Sequence, residues 1–446
     1  MILIHKATII NEGESFIGSL LLEGERISRI YKEEVPEPVL NACRQVIDAR
    51  GLYLIPGVID DQVHFRDPGL THKGDIFTES RAAVAGGVTS YMDMPNTIPQ
   101  TISNNAISEK LEMAEGKSAA NYSFYLGATN NNTRELKKAD KKIVCGVKVF
   151  MGASTGNMLV DSDRALHEIF AETEMLIATH CEKEEVVREN KEYFQKKFGE
   201  NIPIKYHPLI RSAEACYRSS ALAVELADKY GSRLHVLHLS TAREMSLFSN
   251  APLNEKKITA EVCVHHLWFT DEDYERLGTR IKWNPAIKSS GDRDALQQAL
   301  ITGKIDVAAT DHAPHLLSEK EGGCLQAASG GPLVQHSLQL MMQLANKGLW
   351  STEFVVEKMC HAPAQLFSVK ERGYIREGYY ADIVLIDPEV PYTVTPKNIL
   401  YKCGWSPFEG ETFNCSVKKT FVNGHLAFDN GAFSEKVYGK ALEFNR

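Results

Sequence analysis

Histidine, carboxylate and lysine side chains recur where apolar runs of this sequence stop. VIDDQVHFR carries Gln62, His64 and Arg66, and VTSYMDMPN ends in Asp93 and Asn96. CGVKVF holds Lys148, MLIATH ends in His180, and LHVLHLS contains His238. ITAEVCVHH ends in His265 and His266, and IDVAATDHAPH in Asp311, His312 and His315. Imidazole nitrogens and carboxylate oxygens are ligands of divalent ions such as zinc, whereas one isolated histidine is usually a satisfied core or surface residue. Their return at the ends of successive runs points to a shared metal site.

Lys148 stands inside a run that reads as buried on both faces. Burial disfavours the ammonium and lowers a lysine pKa. A neutral amine can form a Schiff base, or capture carbon dioxide as a carbamate whose two oxygens suit a pair of divalent ions. It can also simply snorkel out at the strand end. With His180 and His238 ending the next two runs, the carbamate is the favoured reading. Asp311 follows an apolar run directly, where a carboxylate can hold a metal and take a proton from water. Capping of the next turn is its structural alternative.

These residues need elements to carry them. Eight β-rich apolar runs alternate with amphipathic segments such as ISEKLEMAEG, RALHEIFAE, AEACYRSSALAVELADKY and RDALQQALITG. Continuous apolar strands alternating with helices imply a parallel sheet, and eight units imply a closed α/β barrel of the (β/α)8 type over residues 53–369. In such a barrel the active site lies at the C-terminal ends of the strands, where the polar residues fall. An open doubly wound sheet is the competing architecture, weakened by the lack of GxGxxG after the first run. Residues 1–52 and 370–446 read as short strands and turns, with VNG before HLAF as a hairpin signal. Neither end offers enough strands alone, so the two are expected to pair into one small β domain.

A formal charge of −8 and no basic cluster argue against a nucleic-acid partner. No apolar run approaches membrane-spanning length, and MILIHKATII is interrupted too early for a signal peptide. Nine cysteines without CxxC pairs suggest reduced, mostly buried thiols and a cytoplasmic protein. Cys181 and Cys263 are expected to serve as packing despite their neighbours.

The stretch PGVIDDQVHFRDPG resembles the first-strand signature of the amidohydrolase superfamily, and HFRDPG resembles dihydroorotases in particular. The likeness continues in order through AAVAGGVTSYMDMPNTIP, GVKVFMG, THCE, LHVLHLSTA, AEVCVHHL, WNPAIK, ATDHAPH and GYIREGYYADIVLID, covering essentially the whole chain. It implies a barrel with a small β-sandwich built from both termini, and one or two zinc ions. It places His64, Lys148 as a carbamate, His180, His238 and Asp311 on ligand positions. By the same carry-over Arg66, Asn96 and Asn284 hold a substrate carboxylate, and His315 adds a contact. The implied reaction is reversible cyclisation of N-carbamoyl-L-aspartate to L-dihydroorotate, with Asp311 moving the proton. Allantoinase-type and dihydropyrimidinase-type amidohydrolases are alternatives, as is a non-catalytic partner of aspartate carbamoyltransferase. Such an association and a homo-oligomer are both compatible with the sequence.

Two departures stand out. The family carries His-x-His where this chain has Gln62-Val63-His64, and an amide oxygen is a weaker zinc ligand than imidazole. Residues 316–334 keep a Gly-rich loop without the usual sequence. Such a loop could cover the substrate and supply backbone hydrogen bonds from around Pro332 to Val334, or be plain surface.

Overall fold

The computed structural model describes residues 1–152, 158–436 and 438–446. Among these, the eight apolar runs become eight parallel strands. They are β1 (Val58–Val63), β2 (Val88–Asp93), β3 (Asn121–Phe124, continued by Leu126–Gly127), β4 (Val147–Phe150) and β5 (Ile177–His180). β6 (Leu234–Val236), β7 (Ile258–Cys263) and β8 (Val307–Ala309) complete the set. Each pairs in parallel with its neighbour. The ring closes where Val63 bridges His312 and the His64 N–H donates to the His312 carbonyl at 2.7 Å.

Alternation along the strands decides which residues reach the barrel interior. On β4, Val147 and Val149 join the main apolar core, while Lys148 and Phe150 line the pocket at the strand ends. The helices start where short polar side chains can cap their free N–H groups. Asp75 opens Ile76–Ala85 with a capping box, and Ser103, Ser162, Ser212 and Ser289 open Asn104–Ala114, Asp163–Glu172, Ala213–Tyr230 and Ser290–Ile301. Firm caps fix where each helix begins and hence the length of the loop that carries each strand-end residue.

The chain ends share one sheet, ordered Ala432–Phe433, His425–Asp429, Ser416–Val422, Ile383–Asp387, Tyr53–Pro56, Ile2–Asn11, Glu14–Glu23 and Arg26–Tyr31, with Gln45–Asp48 also on Ile2–Asn11. The join is the antiparallel pairing of Tyr53–Pro56 with Ile383–Asp387. Ile4, Ile9, Leu20, Leu54, Ile383 and Phe421 form its own buried core. This bears out a barrel with a small β domain built from both termini. No helix among the described residues is long and apolar enough to cross a membrane.

Candidate metal centre

Gln62, His64, Arg66, Lys148, His180, His238, Asn284 and Asp311 converge on one small pocket of about 40 Å³ at the C-terminal ends of the strands. Phe150, Trp283, Ala313, Ser329 and Gly330 complete its described wall. Three of these residues hold the left-handed backbone region that non-glycine residues rarely enter: Arg66 at φ 69°, His238 at 40° and Asp311 at 50°. Each such conformation costs on the order of 1–3 kcal/mol, which the packed barrel must offset to aim these side chains inward.

Lys148 is 1% exposed, and its Nζ lies 4.6 Å from the centre of the Phe150 ring. Burial pulls its ammonium down to about 8, against the opposing pull of Asp311 and Glu261. A neutral amine is therefore within reach near physiological pH, as carbamate formation requires.

His180 Nδ1 and His238 Nε2 face each other at 3.0 Å. Burial keeps both rings neutral, with His238 well below the ordinary imidazole range. His180 Nε2 lies 3.1 Å from Glu182 Oε2 without hydrogen-bond geometry, so that carboxylate acts on the ring as a nearby negative charge. Two ligands of a tetrahedral ion bound at about 2.0–2.1 Å stand roughly 3.3–3.4 Å apart, close to the observed spacing. The donor set thus fits a divalent ion held by His180, His238 and Lys148. On the opposite wall His64 Nε2 is 3.0 Å from Asp311 Oδ1, a second pair of donors.

Glu182, the last residue of the THCE stretch, is fully buried between His180 and Arg211. Burial pushes its carboxyl up, but Arg211 and His180 outweigh that and hold it at about 2, below the ordinary 4.5. A depressed carboxylate stabilises the fold fully above its unfolded value, and that contribution is lost as pH falls from about 4.5 towards 2. Glu182→Gln is expected to flatten the stability curve across this window in urea titrations. Arg211→Ala, which strands a buried charge, is expected to lower stability by about 3–5 kcal/mol; an unchanged unfolding midpoint would remove the pair from the account.

Gln62 departs from the family pattern in geometry as well as in type. Its Nε2 donates to Asp311 Oδ1 at 3.1 Å, and its oxygen faces the Cys263 thiol at 3.8 Å. The amide thus braces Asp311 instead of offering its oxygen to the pocket. Asn96 Oδ1 is 2.7 Å from His64 Nδ1, so it orients that ring. Arg66 is 4% exposed; its Nε donates to the Pro314 carbonyl at 3.1 Å, and an Nη lies 3.2 Å from His315 Nε2. Burial lowers its guanidinium to about 10, still charged at neutral pH. His315 stands behind Arg66, its other ring nitrogen 3.1 Å from Lys73 Nζ.

Other strand-end residues turn away. Asp93 pairs with Lys110 Nζ at 2.5 Å and accepts the Phe65 N–H at 2.8 Å. His265 stacks on Trp283 with ring centres 4.5 Å apart, and His266 Nε2 meets the Pro285 carbonyl at 3.2 Å. His312 Nε2 donates to Glu79 at 2.9 Å, while its Nδ1 accepts the Leu333 and Val334 N–H groups at 3.0 and 3.3 Å. Those N–H groups are therefore spent on His312 and do not face substrate, which corrects the expectation for Pro332–Val334. The loop meets the pocket earlier, at Ser329 and Gly330. Gly330 has φ 124°, and a Cβ there would stand 2.7 Å from the Ala313 carbonyl oxygen. Lys320 fastens this stretch by donating to the Ala328 and Gly330 carbonyls, both at 2.7 Å.

A parallel barrel that gathers imidazoles, a carboxylate and a buried lysine at its strand ends has the build of a metallohydrolase. The comparisons narrow that class: the chain belongs to the amidohydrolase family, whose profile matches residues 53–427. It is 32% identical over 424 residues to a dihydroorotase of Halobacterium salinarum, covering 94% of this chain and 95% of that protein. It is also 32% identical over 398 residues to an allantoinase of Bacillus velezensis, covering 87% and 86%. An L-hydantoinase (dihydropyrimidinase) structure from Arthrobacter aurescens superposes with a TM-score of 0.92 at 26% identity, covering 99% of each chain. The protein is accordingly a hydrolase of cyclic amides.

Proposed function

We propose that this protein is a dihydroorotase, interconverting N-carbamoyl-L-aspartate and L-dihydroorotate. The observation that carries the reading is Arg66, a buried guanidinium in the wall of the pocket that also holds His64 and Asp311. A guanidinium forks onto a carboxylate bidentately, and dihydroorotate carries a carboxylate that hydantoins, dihydropyrimidines and allantoin lack. Asn284, whose Oδ1 is buried without a hydrogen-bond partner among the described residues, stands in the same wall to complete the polar shell.

One or two zinc ions held by His180, His238 and carboxylated Lys148, and by His64 and Asp311, would polarise the ring carbonyl and acidify water. Asp311 takes the proton from the attacking water and delivers it to the leaving ring nitrogen; in synthesis it acts in reverse. His64, oriented by Asn96, and the amide of Gln62 fix the carboxylate for this transfer. Phe150, Trp283 and Gly330 narrow the space and exclude bulk water. Nine cysteines without a disulfide support a reducing, cytoplasmic setting.

An allantoinase reaches the same 32% identity as the Halobacterium dihydroorotase, and Arg66 is what separates the two readings. Arg66→Ala is expected to raise KM for dihydroorotate roughly 10- to 150-fold, the value of one charge-assisted pair at about 1.5–3 kcal/mol. Steady-state kinetics with unchanged KM would contradict the carboxylate role.

A further inference from the structure

Asp61, His235 and Glu261 meet inside the barrel, each with 0% exposure. They come from β1, β6 and β7, and none of them lines the catalytic pocket. His235 Nε2 is 3.2 Å from Asp61 Oδ2 and 3.8 Å from Glu261 Oε2. One ligand atom from each residue lies within 4.8 Å of the others.

The hydrogen on His235 can be placed from its other side. Its Nδ1 is 2.9 Å from Thr259 Oγ1, and that hydroxyl donates its own hydrogen to the Leu234 carbonyl at 3.1 Å. Thr259 therefore accepts, and Nδ1 is the donor. This is the outer hydrogen bond that characteristically fixes a metal-binding histidine. In a neutral ring Nε2 then points a lone pair at two carboxylates in a fully buried space, so a positive species must stand between them.

Burial lowers the His235 ring, but Asp61 and Glu261 outweigh it and hold the ring at about 9, so a proton competes for that place; it fills it poorly. Neither carboxylate meets Nε2 in hydrogen-bond geometry, and among the described residues both Asp61 oxygens, Glu261 Oε2 and Nε2 lack hydrogen-bond partners. Burial and Asp61 also push the Glu261 carboxyl up to about 7, so a second proton would be needed to balance the cluster; one divalent ion neutralises both carboxylates and gives the orphaned atoms a ligand. Donor atoms around a four-coordinate ion stand roughly 3.2–3.6 Å apart, and the two measured spacings bracket that range.

We propose that Asp61, His235 and Glu261 form an interior site for a divalent transition-metal ion, separate from the catalytic pocket. One imidazole and two carboxylates suit zinc, with manganese or iron(II) as competitors. The site is structural: it ties β1, β6 and β7 together behind the pocket. Asp61 immediately precedes Gln62, and Glu261 Oε1 accepts the His238 backbone N–H at 2.9 Å, so an ion here steadies two residues of the pocket wall.

Crystals of the zinc-supplemented protein, measured on both sides of the zinc absorption edge, test this directly. The expected anomalous peak lies about 2.0–2.2 Å from His235 Nε2 and from an oxygen of each carboxylate. The same peak is expected in Lys148→Ala crystals, whose pocket has lost its bridge. Elemental analysis of Asp61→Asn is expected to give about one equivalent less zinc than wild type. A wild-type map without a peak between the three residues, whatever the pocket contains, overturns the proposal and assigns the cluster to a protonated His235. That decision stands even if Asp61→Asn fails to fold, and it leaves the dihydroorotase reading untouched.

Discussion

Lys148→Ala protein is expected to lose both its pocket metal and its turnover. The lysine lies 1% exposed on β4, with Phe150 beneath its Nζ and the facing His180–His238 pair on the strands that follow. Removing the amine would remove the proposed carbamate, which would join that pair to the His64–Asp311 pair. Metal polarisation is worth several kcal/mol of barrier, so turnover is expected to fall roughly 10³-fold or more. Acetate or propionate fits the cavity left by the side chain and supplies two oxygens, so partial rescue by added carboxylate is the diagnostic result. Full activity and unchanged zinc content in the alanine variant would show that Lys148 is a packing residue that snorkels out at the strand end.

Asp311→Asn separates proton transfer from metal retention. Asp311 Oδ1 lies 3.0 Å from His64 Nε2 and accepts a hydrogen bond from Gln62 Nε2 at 3.1 Å, and the φ of 50° at this residue aims it into the pocket. The amide keeps an oxygen for an ion but cannot take a proton from water. Turnover is expected to fall about 10²- to 10⁴-fold, the usual contribution of a positioned acid–base group. Zinc content is expected to stay near wild type. Loss of metal in parallel with activity would make Asp311 a ligand only.

The barrel was legible because its strands are buried on both faces and so read as apolar runs without alternation. Polar residues placed inside or just after such runs had to sit at the strand ends, which is why His64, Arg66, Lys148, His180, His238 and Asp311 stand out in the sequence; Asn284 follows only from the family resemblance. The same signal misled at His265 and His266. β7 stops at Cys263, and the short helix Val264–Trp268 carries both rings away towards Trp283 and Pro285.

Partnerships across distance were not legible. Glu182 looks like any polar residue after a strand, and only the fold brings Arg211 against it. Asn96 was expected at a substrate carboxylate, and its hydrogen bond to His64 could not be read from the chain. Asp61, His235 and Glu261 lie within apolar runs, and inspection of strand ends passes over them. Their meeting depends on the parity with which three separate strands turn residues inward.

The central claim is the substrate, and it rests on a cation in the pocket wall. Zinc-loaded protein assayed in parallel with L-dihydroorotate, allantoin and dihydrouracil tests it most directly. The expected result is a kcat/KM for dihydroorotate at least roughly tenfold above the other two, the least that one charge-assisted carboxylate contact supplies. Turnover of allantoin or dihydrouracil with dihydroorotate left untouched would contradict it. Absence of both metal and turnover on all three would instead favour the non-catalytic partner.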